Sequence, residues 1–237
     1  LMIRRPPRST LSSSSAASDV YKRQYRHRAN LFDKLQLSPF PENRIWNGSI
    51  IYLDRDGVLN IGSENYINNP EELIILPGVA DSIARLKKNG FRICIVTNQS
   101  PINRGFWSHD MLESIHEKLI DELKIKNKHA VLDLILYSPY APFEDSIARK
   151  PSSGMLMAGN LIINHSERGE LPIDCNELGV HDLFDEGEMS AMVGDRLVDI
   201  QAGNAHGVRT FLVNPDLGLP QVIDRILDKN DKGDVLH

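Results

Sequence analysis

The chain holds only two cysteines in 237 residues, Cys94 and Cys175, with no C-x-x-C spacing. That excludes a disulfide framework and points to a reducing compartment. Cys94 lies inside an apolar run and reads as a core residue. No run of about 18 apolar residues exists, so no membrane span is expected. The charge is not basic: the formal net value is −5. With no basic, aromatic-interleaved patch, nucleic acid is not expected as a partner. No internal repeat is present. What remains is a 41% hydrophobic chain long enough for one substantial α/β domain with a core of ordinary size.

One stretch organises the rest: Ile50-Ile51-Tyr52-Leu53-Asp54-Arg55-Asp56-Gly57-Val58-Leu59-Asn60. A β-branched apolar run ends in two aspartates one residue apart, then a glycine. Such a run reads as a buried strand. In a parallel α/β sheet, functional side chains sit just past the carboxyl ends of strands. Two adjacent carboxylates at such a lip repel one another unless a cation or a proton intervenes. Metal binding, acid/base chemistry, or both are expected there.

Residues 1–24 are basic, serine-rich and without helix or strand period. Arg5 to Gln24 resembles the translated adapter tract found at the ends of assembled transcripts, and a tract of this composition is also what an organellar transit peptide looks like. The segment is expected to be a non-native or disordered leader, 25–48 a lead-in with a short helix, 49–228 the folded domain, and 229–237 a frayed tail. The protein is expected in the cytoplasm, or in an organelle if the leader is an authentic transit peptide. Strands are expected at Phe91 to Val96, Leu132 to Tyr137, Ala191 to Asp195 and Thr210 to Val213. Helices are expected from Val79 to Lys88, over 108–126, from Met155 to Ile163, from Leu197 to Ala205 and over 219–228. The stretch 164–188 reads as a polar surface excursion, with His165 and His181 as surface residues. This alternation predicts an α/β fold, a Rossmann-like three-layer sandwich around a central parallel sheet.

Four strand ends then offer Asp54 and Asp56, Thr97-Asn98, Arg149-Lys150 and Asp195. Asp54 can attack phosphorus as a nucleophilic carboxylate. Asp56 can protonate a leaving oxygen and later deprotonate water, helped by a pKa raised among like charges. Asp54, Asp195 and a backbone carbonyl suffice for Mg²⁺. Lys150 can offset phosphoryl charge, Thr97 can donate a hydroxyl hydrogen, and Arg149 suits a second anionic group. Each piece has a plain alternative. Asp-x-Asp-Gly occurs in turns, Gly194-Asp195 could be a turn, Lys150-Pro151 a solvated loop, and Asp199 either a carboxylate beside the metal or a helix N-terminal charge. Their order after successive strands is what favours chemistry.

Over about residues 50–214 the chain resembles the haloacid dehalogenase (HAD) superfamily of phosphohydrolases. The resemblance rests on Asp54-Arg55-Asp56-Gly57-Val58-Leu59-Asn60, Thr97-Asn98, Lys150 and Gly194-Asp195-Arg196-Leu197-Val198-Asp199. Thr97-Asn98-Gln99-Ser100, Arg104-Gly105, Arg149-Lys150-Pro151 and Gly154-Met155 look most like the branch that dephosphorylates D-glycero-D-manno-heptose 1,7-bisphosphate and histidinol phosphate. The resemblance implies Asp54 as nucleophile, Asp56 as proton donor, and Mg²⁺ held by Asp54, the Asp56 backbone and Asp195. It implies Thr97 and Lys150 on the phosphoryl group, and Asn98, Gln99, Ser100, Arg104 and Arg149 around a small phosphorylated metabolite, most simply a sugar bisphosphate. Histidinol phosphate is the alternative substrate, and a catalytically silent HAD-fold binding module the alternative outside enzymes. The branch often carries a structural zinc before Arg-Lys-Pro. Here the matching positions are Ser138, Tyr140, Ser146 and Ala148, so no zinc is expected. The spacing between motifs leaves room for no large cap domain, and a monomer or weak homo-oligomer is expected.

Overall fold

The computed structural model describes residues 35–170 and 184–234. Its five strands are β1 (Ile50–Leu53), β2 (Arg92–Asn98), β3 (Leu134–Ser138), β4 (Ala191–Gly194) and β5 (Arg209–Leu212). They form one parallel sheet in the order β3-β2-β1-β4-β5. The opening run therefore becomes the central strand, buried along its whole length. Its helices are α1 (Val79–Lys88), α2 (His109–Lys126), α3 (Gly154–Glu167), α4 (Leu197–His206) and the short α5 (Ile223–Leu227).

Strand residues alternate between faces, and this builds the three layers. Ile51 and Leu53 pack with Ile93, Ile95 and Val193 against Val79 and Ile83 of α1, Ile115 and Leu119 of α2 and Ile226 of α5. Ile50 and Tyr52 pack with Cys94, Val96 and Met192 against Met155, Leu156 and Ile162 of α3 and Ala202 of α4. Both faces of β1 are thus apolar, which is why its sequence shows no polar alternation.

The chain leaves β1 toward β2 and β3 on one side and returns to β4 and β5 on the other. A crevice opens at the carboxyl ends where that direction reverses. Among the described residues, the connections from β1 to β2 and from β2 to β3 carry one α-helix each, with no separate cap domain over this edge. No helix among the described residues is long and apolar enough to cross a membrane.

Several expectations are corrected. β2 runs from Arg92 to Asn98, past the expected end at Val96, so Thr97 and Asn98 belong to the strand itself. α3 continues to Glu167, which places His165 on a helix, 6% exposed and bonded through Nδ1 to Glu170, not on the surface. The terminal helix is a 3₁₀ turn, Leu219–Gln221, followed by α5. Described residues of the lead-in hold one 3₁₀ turn, Pro41–Asn43, and no α-helix. The tail is held through Asp234. Its backbone N–H donates to Thr210 O and its carboxylate accepts from Leu212 N, so it covers the outer edge of β5. The leader 1–24, residues 25–34, Cys175 and His181 lie outside the described residues.

The amino end of the sheet is closed by charge. Asp133 is fully buried and accepts from both Lys87 Nζ (2.8 and 2.9 Å) and Arg92 Nη1 (2.7 Å), as well as from Ile93 N. Phe40 of the lead-in lies over both cations. Removing one member of a buried network leaves uncompensated charge, typically costing about 3–5 kcal/mol. Asp133→Ala should therefore lower unfolding free energy by about that amount in chemical denaturation; a loss under about 1 kcal/mol would show that water compensates the two cations.

Candidate active site

Asp54 follows β1 directly, and its N–H donates to Val193 O (3.0 Å), extending the β1–β4 ladder by one residue. The side chain therefore emerges at the crevice with its backbone fixed. Lys150, 1% exposed, reaches it from the loop after β3. Its ammonium lies 2.9 Å from Asp54 Oδ1, 2.6 Å from Asp199 Oδ1 and 2.7 Å from Val96 O. The ammonium donates a hydrogen bond to Val96 O and forms ion pairs with the two carboxylates, the pairing a buried charge requires. The loop is held by Asn98, whose side-chain amide pairs with both N and O of Lys150 at 3.1 and 3.0 Å.

Asp195 follows β4, and Asp199 lies in the first turn of α4. Asp199 also turns one carboxylate oxygen back onto Arg196 N (3.1 Å), capping that helix. Ligand oxygens of Asp54, Asp195 and Asp199 all lie within 4.8 Å of one another. Asp195 Oδ1 is buried with no hydrogen-bond donor among the described residues. An all-oxygen anionic set with an unsatisfied buried oxygen fits a hard divalent cation such as Mg²⁺. Two glycines allow the approach. A Cβ on Gly57, whose φ is +74°, would lie 2.6 Å from Asp195 Oδ2, and one on Gly194 would collide with the Asp199 carboxylate.

Asp56 points into a separate set of donors. Arg55 Nε and Nη2 reach Asp56 Oδ1 at 3.2 and 3.1 Å, Nη2 reaches Oδ2 at 2.9 Å, and Asn60 Nδ2 and Gln99 Nε2 donate at 2.9 and 3.3 Å. Gln99 Nε2 also donates to Thr97 Oγ1 (2.9 Å). With that lone pair engaged, the Thr97 hydroxyl hydrogen is available to another acceptor.

Electrostatics divides the carboxylates. Burial, helped by Asp199 and Asp56, raises Asp54 to about 6 against the pull of Lys150. Burial and Asp54 raise Asp195. Burial opposes the charge of Lys150, but Asp54 and Asp199 outweigh it and raise its pKa. Burial would also raise Asp56, but Arg55, with the hydrogen bonds from Asn60 and Gln99, holds it below the ordinary carboxylate value. The expected upward shift of Asp56 is thus reversed: the like charges that would raise it are outweighed by an adjacent cation.

Of the residues expected at the site, Asp54, Asp56, Thr97, Lys150 and Asp195 converge. Asn98 and Gln99 are engaged with Lys150 and with Thr97 and Asp56, so they brace the site from within. Ser100 is buried, and its carbonyl accepts Arg104 N (3.1 Å), turning the loop. Arg104 and Arg149 stand at the rim. Arg104 donates to Tyr66 Oη (2.8 Å) beside Phe106, and Arg149 donates to Tyr140 O (2.8 Å). Asp199, whose role the sequence left open, is the second anion on Lys150. Asn60 and His116, which the sequence reading passed over, support Asp56 and Arg55. Asn60 could have been found from its place in the first motif; His116 carries no signal beyond a polar residue on an apolar helix face.

The family model described as polynucleotide kinase 3 phosphatase matches residues 49–178, and the HAD-hydrolase-like model matches 147–225. The D-glycero-β-D-manno-heptose-1,7-bisphosphate 7-phosphatase of Pseudomonas putida is 33% identical over 180 residues, covering 76% of this chain and 87% of its own. The crystal structure of D,D-heptose 1,7-bisphosphate phosphatase from Bordetella bronchiseptica, complexed with magnesium and phosphate, is 32% identical. It covers 73% of this chain and 86% of its own, with a TM-score of 0.54. A protein from Mesorhizobium loti described as a HAD-like phosphatase shares the fold at a TM-score of 0.56 and 23% identity, covering 86% of this chain and 100% of its own. A parallel sheet that gathers acidic residues around a buried lysine, together with these relatives, settles the family: the chain belongs to the HAD-like phosphatases, phosphoric monoester hydrolases, in the group that contains the heptose-bisphosphate phosphatases.

Proposed function

We propose that this phosphatase removes one phosphate from a sugar bisphosphate, a heptose 1,7-bisphosphate, through an aspartyl-phosphate on Asp54. The observation that carries the reading is the buried Lys150 ammonium bound to Asp54 and Asp199 beside Asp195. The choice of sugar draws on the names of the relatives. A carboxylate oxygen of Asp54 attacks phosphorus and the bond to the ester oxygen breaks, while Asp56, in the protonated fraction that Arg55 keeps small, gives its proton to that oxygen. Water then loses a proton to Asp56 and attacks the same phosphorus. The Asp54–phosphorus bond breaks, and phosphate leaves.

Lys150 keeps one Asp54 oxygen oriented and faces the transferring group with positive charge. Thr97 donates its free hydroxyl hydrogen to a phosphoryl oxygen. Asp54 and Asp195, with the Asp56 carbonyl, would hold Mg²⁺, which when bound supplies charge that offsets the phosphoryl oxygens. Asp199 serves by holding Lys150. Arg149 and Arg104 at the rim suit the second phosphate of a bisphosphate. No structural zinc is part of this reading. Ser138, Tyr140, Ser146 and Ala148 offer no good zinc ligand. The loop is tied instead by Glu144, which accepts from Ala141 N and from Asn103 Nδ2 (3.1 and 3.2 Å), and by Arg149 on Tyr140 O.

Asp54→Asn should lower phosphate release by roughly 10³-fold or more while the melting temperature is retained; turnover near wild type would remove Asp54 from the nucleophile's role. Stripping with a chelator should abolish activity, Mg²⁺ alone should restore it, and elemental analysis should find no stoichiometric zinc. Arg149→Ala should reduce kcat/KM for the bisphosphate roughly tenfold more than for a sugar monophosphate, the loss of one charge-assisted contact. Preferential turnover of histidinol phosphate, or of an oligonucleotide 3′-phosphate, over the heptose bisphosphate would overturn the substrate assignment.

A further inference from the structure

Arg55 stands between the two aspartates, yet its side chain is 1% exposed, and among the described residues it is the largest of the fully buried side chains. Burying a guanidinium is costly unless its N–H groups are paired. Asp56 engages the Nε–Nη2 edge of the fork. The remaining arm, Nη1, meets His116 Nε2 at 3.4 Å. Arginine can only donate, so His116 must present a lone pair at Nε2 and carry its hydrogen at Nδ1. Burial and the Arg55 charge hold the imidazole near a pKa of about 3, in the neutral form this contact needs. His116 lies on the buried face of α2, and its ring packs edge-on against Tyr137 of β3, with centroids 6.1 Å apart. Nothing in the phosphoryl-transfer scheme uses His116. Its polar contact is to Arg55.

We propose that Arg55 and His116 form a positioning pair for the proton-transferring carboxylate: His116 on α2 orients the Arg55 fork, and the fork holds Asp56 where it can reach the leaving oxygen and then the attacking water. The pair acts only through Asp56, so the inference rests on the reading of Asp56 as proton donor. In the first step the proton moves from the Asp56 carboxyl to the ester oxygen as the phosphorus–oxygen bond breaks. In the second it returns from water. A carboxylate free to rotate would make that transfer less often without changing the attack by Asp54.

Leaving-group dependence separates this from a structural role. A p-nitrophenolate leaves with little need of a proton, whereas an alkoxide leaves only with one. The full chain with Mg²⁺ is assayed on p-nitrophenyl phosphate and on a sugar phosphate, with Asp56→Asn as reference. His116→Leu removes the acceptor while keeping bulk; His116→Gln returns an acceptor; Arg55→Lys keeps charge but loses the fork. His116→Leu should lower kcat/KM, which covers the steps through leaving-group departure, about tenfold more on the sugar phosphate than on the aryl ester, part of the 10²–10⁴-fold typical of general acid catalysis. His116→Gln should recover most of that selective loss. Arg55→Lys should show the same bias, which keeps the test open should His116→Leu fail to fold. Equal losses on both esters in His116→Leu and Arg55→Lys, with the bias present in Asp56→Asn, would overturn the pair alone. No bias in Asp56→Asn would overturn the pair together with the proton-donor reading.

Discussion

The buried ammonium of Lys150 is the contact on which the site depends. Asp54, Asp195 and Asp199 crowd their carboxylates within 4.8 Å of one another at a place largely removed from water. Burial, with the neighbouring carboxylates, raises the proton affinity of Asp54 and Asp195. Lys150 offsets two of the three directly, and its own charge is retained because those two surround it. The arrangement leaves Asp195 with an unsatisfied oxygen aimed at the same region, the feature expected where a divalent cation supplies the remaining positive charge.

Precision at that cluster comes from backbone, not from long side chains. Asp54 is tied into the sheet ladder, Lys150 has both peptide groups clamped by Asn98, and Asp199 is fastened to the N-terminus of α4. The absence of side chains at Gly57 and Gly194 lets the elements close to these distances. Asp56 belongs to a second system built from Arg55, Asn60, Gln99 and Thr97. Two carboxylates one residue apart thus acquire opposite electrostatic surroundings: Asp54 faces anions and one lysine, and Asp56 faces an arginine and amides. Without a divalent cation beside Asp54 these surroundings favour a proton on Asp54 and charge on Asp56; a divalent cation held by Asp54 and Asp195 would reverse the preference at Asp54.

The remainder of the fold holds the sheet steady beneath the crevice. The Lys87–Asp133–Arg92 network closes the amino end, and the tail through Asp234 covers the edge at β5. On the α3–α4 face, Glu186 accepts from Tyr52, Asn160 and His206. It joins the central strand to two helices from the segment that precedes β4.

The layered α/β fold was legible in residues 50–214 because both of its periodicities are local. Apolar β-branched runs mark buried strands, and i, i+3, i+4 spacing marks the helices between them. The identities of Asp54, Asp56, Thr97, Lys150 and Asp195 were legible for the same reason, since each stands at a strand end or in a recognisable motif. Tertiary structure decided what each residue faces. The burial of His165, the anchoring of Asp234 on β5, the reversal of the Asp56 shift and the bracing roles of Asn98, Gln99 and His116 all depend on neighbours distant in sequence. A one-dimensional pattern records where a side chain leaves the backbone. The balance of burial, charge and hydrogen bonding that sets its chemistry exists only once separate strands and helices have been brought together.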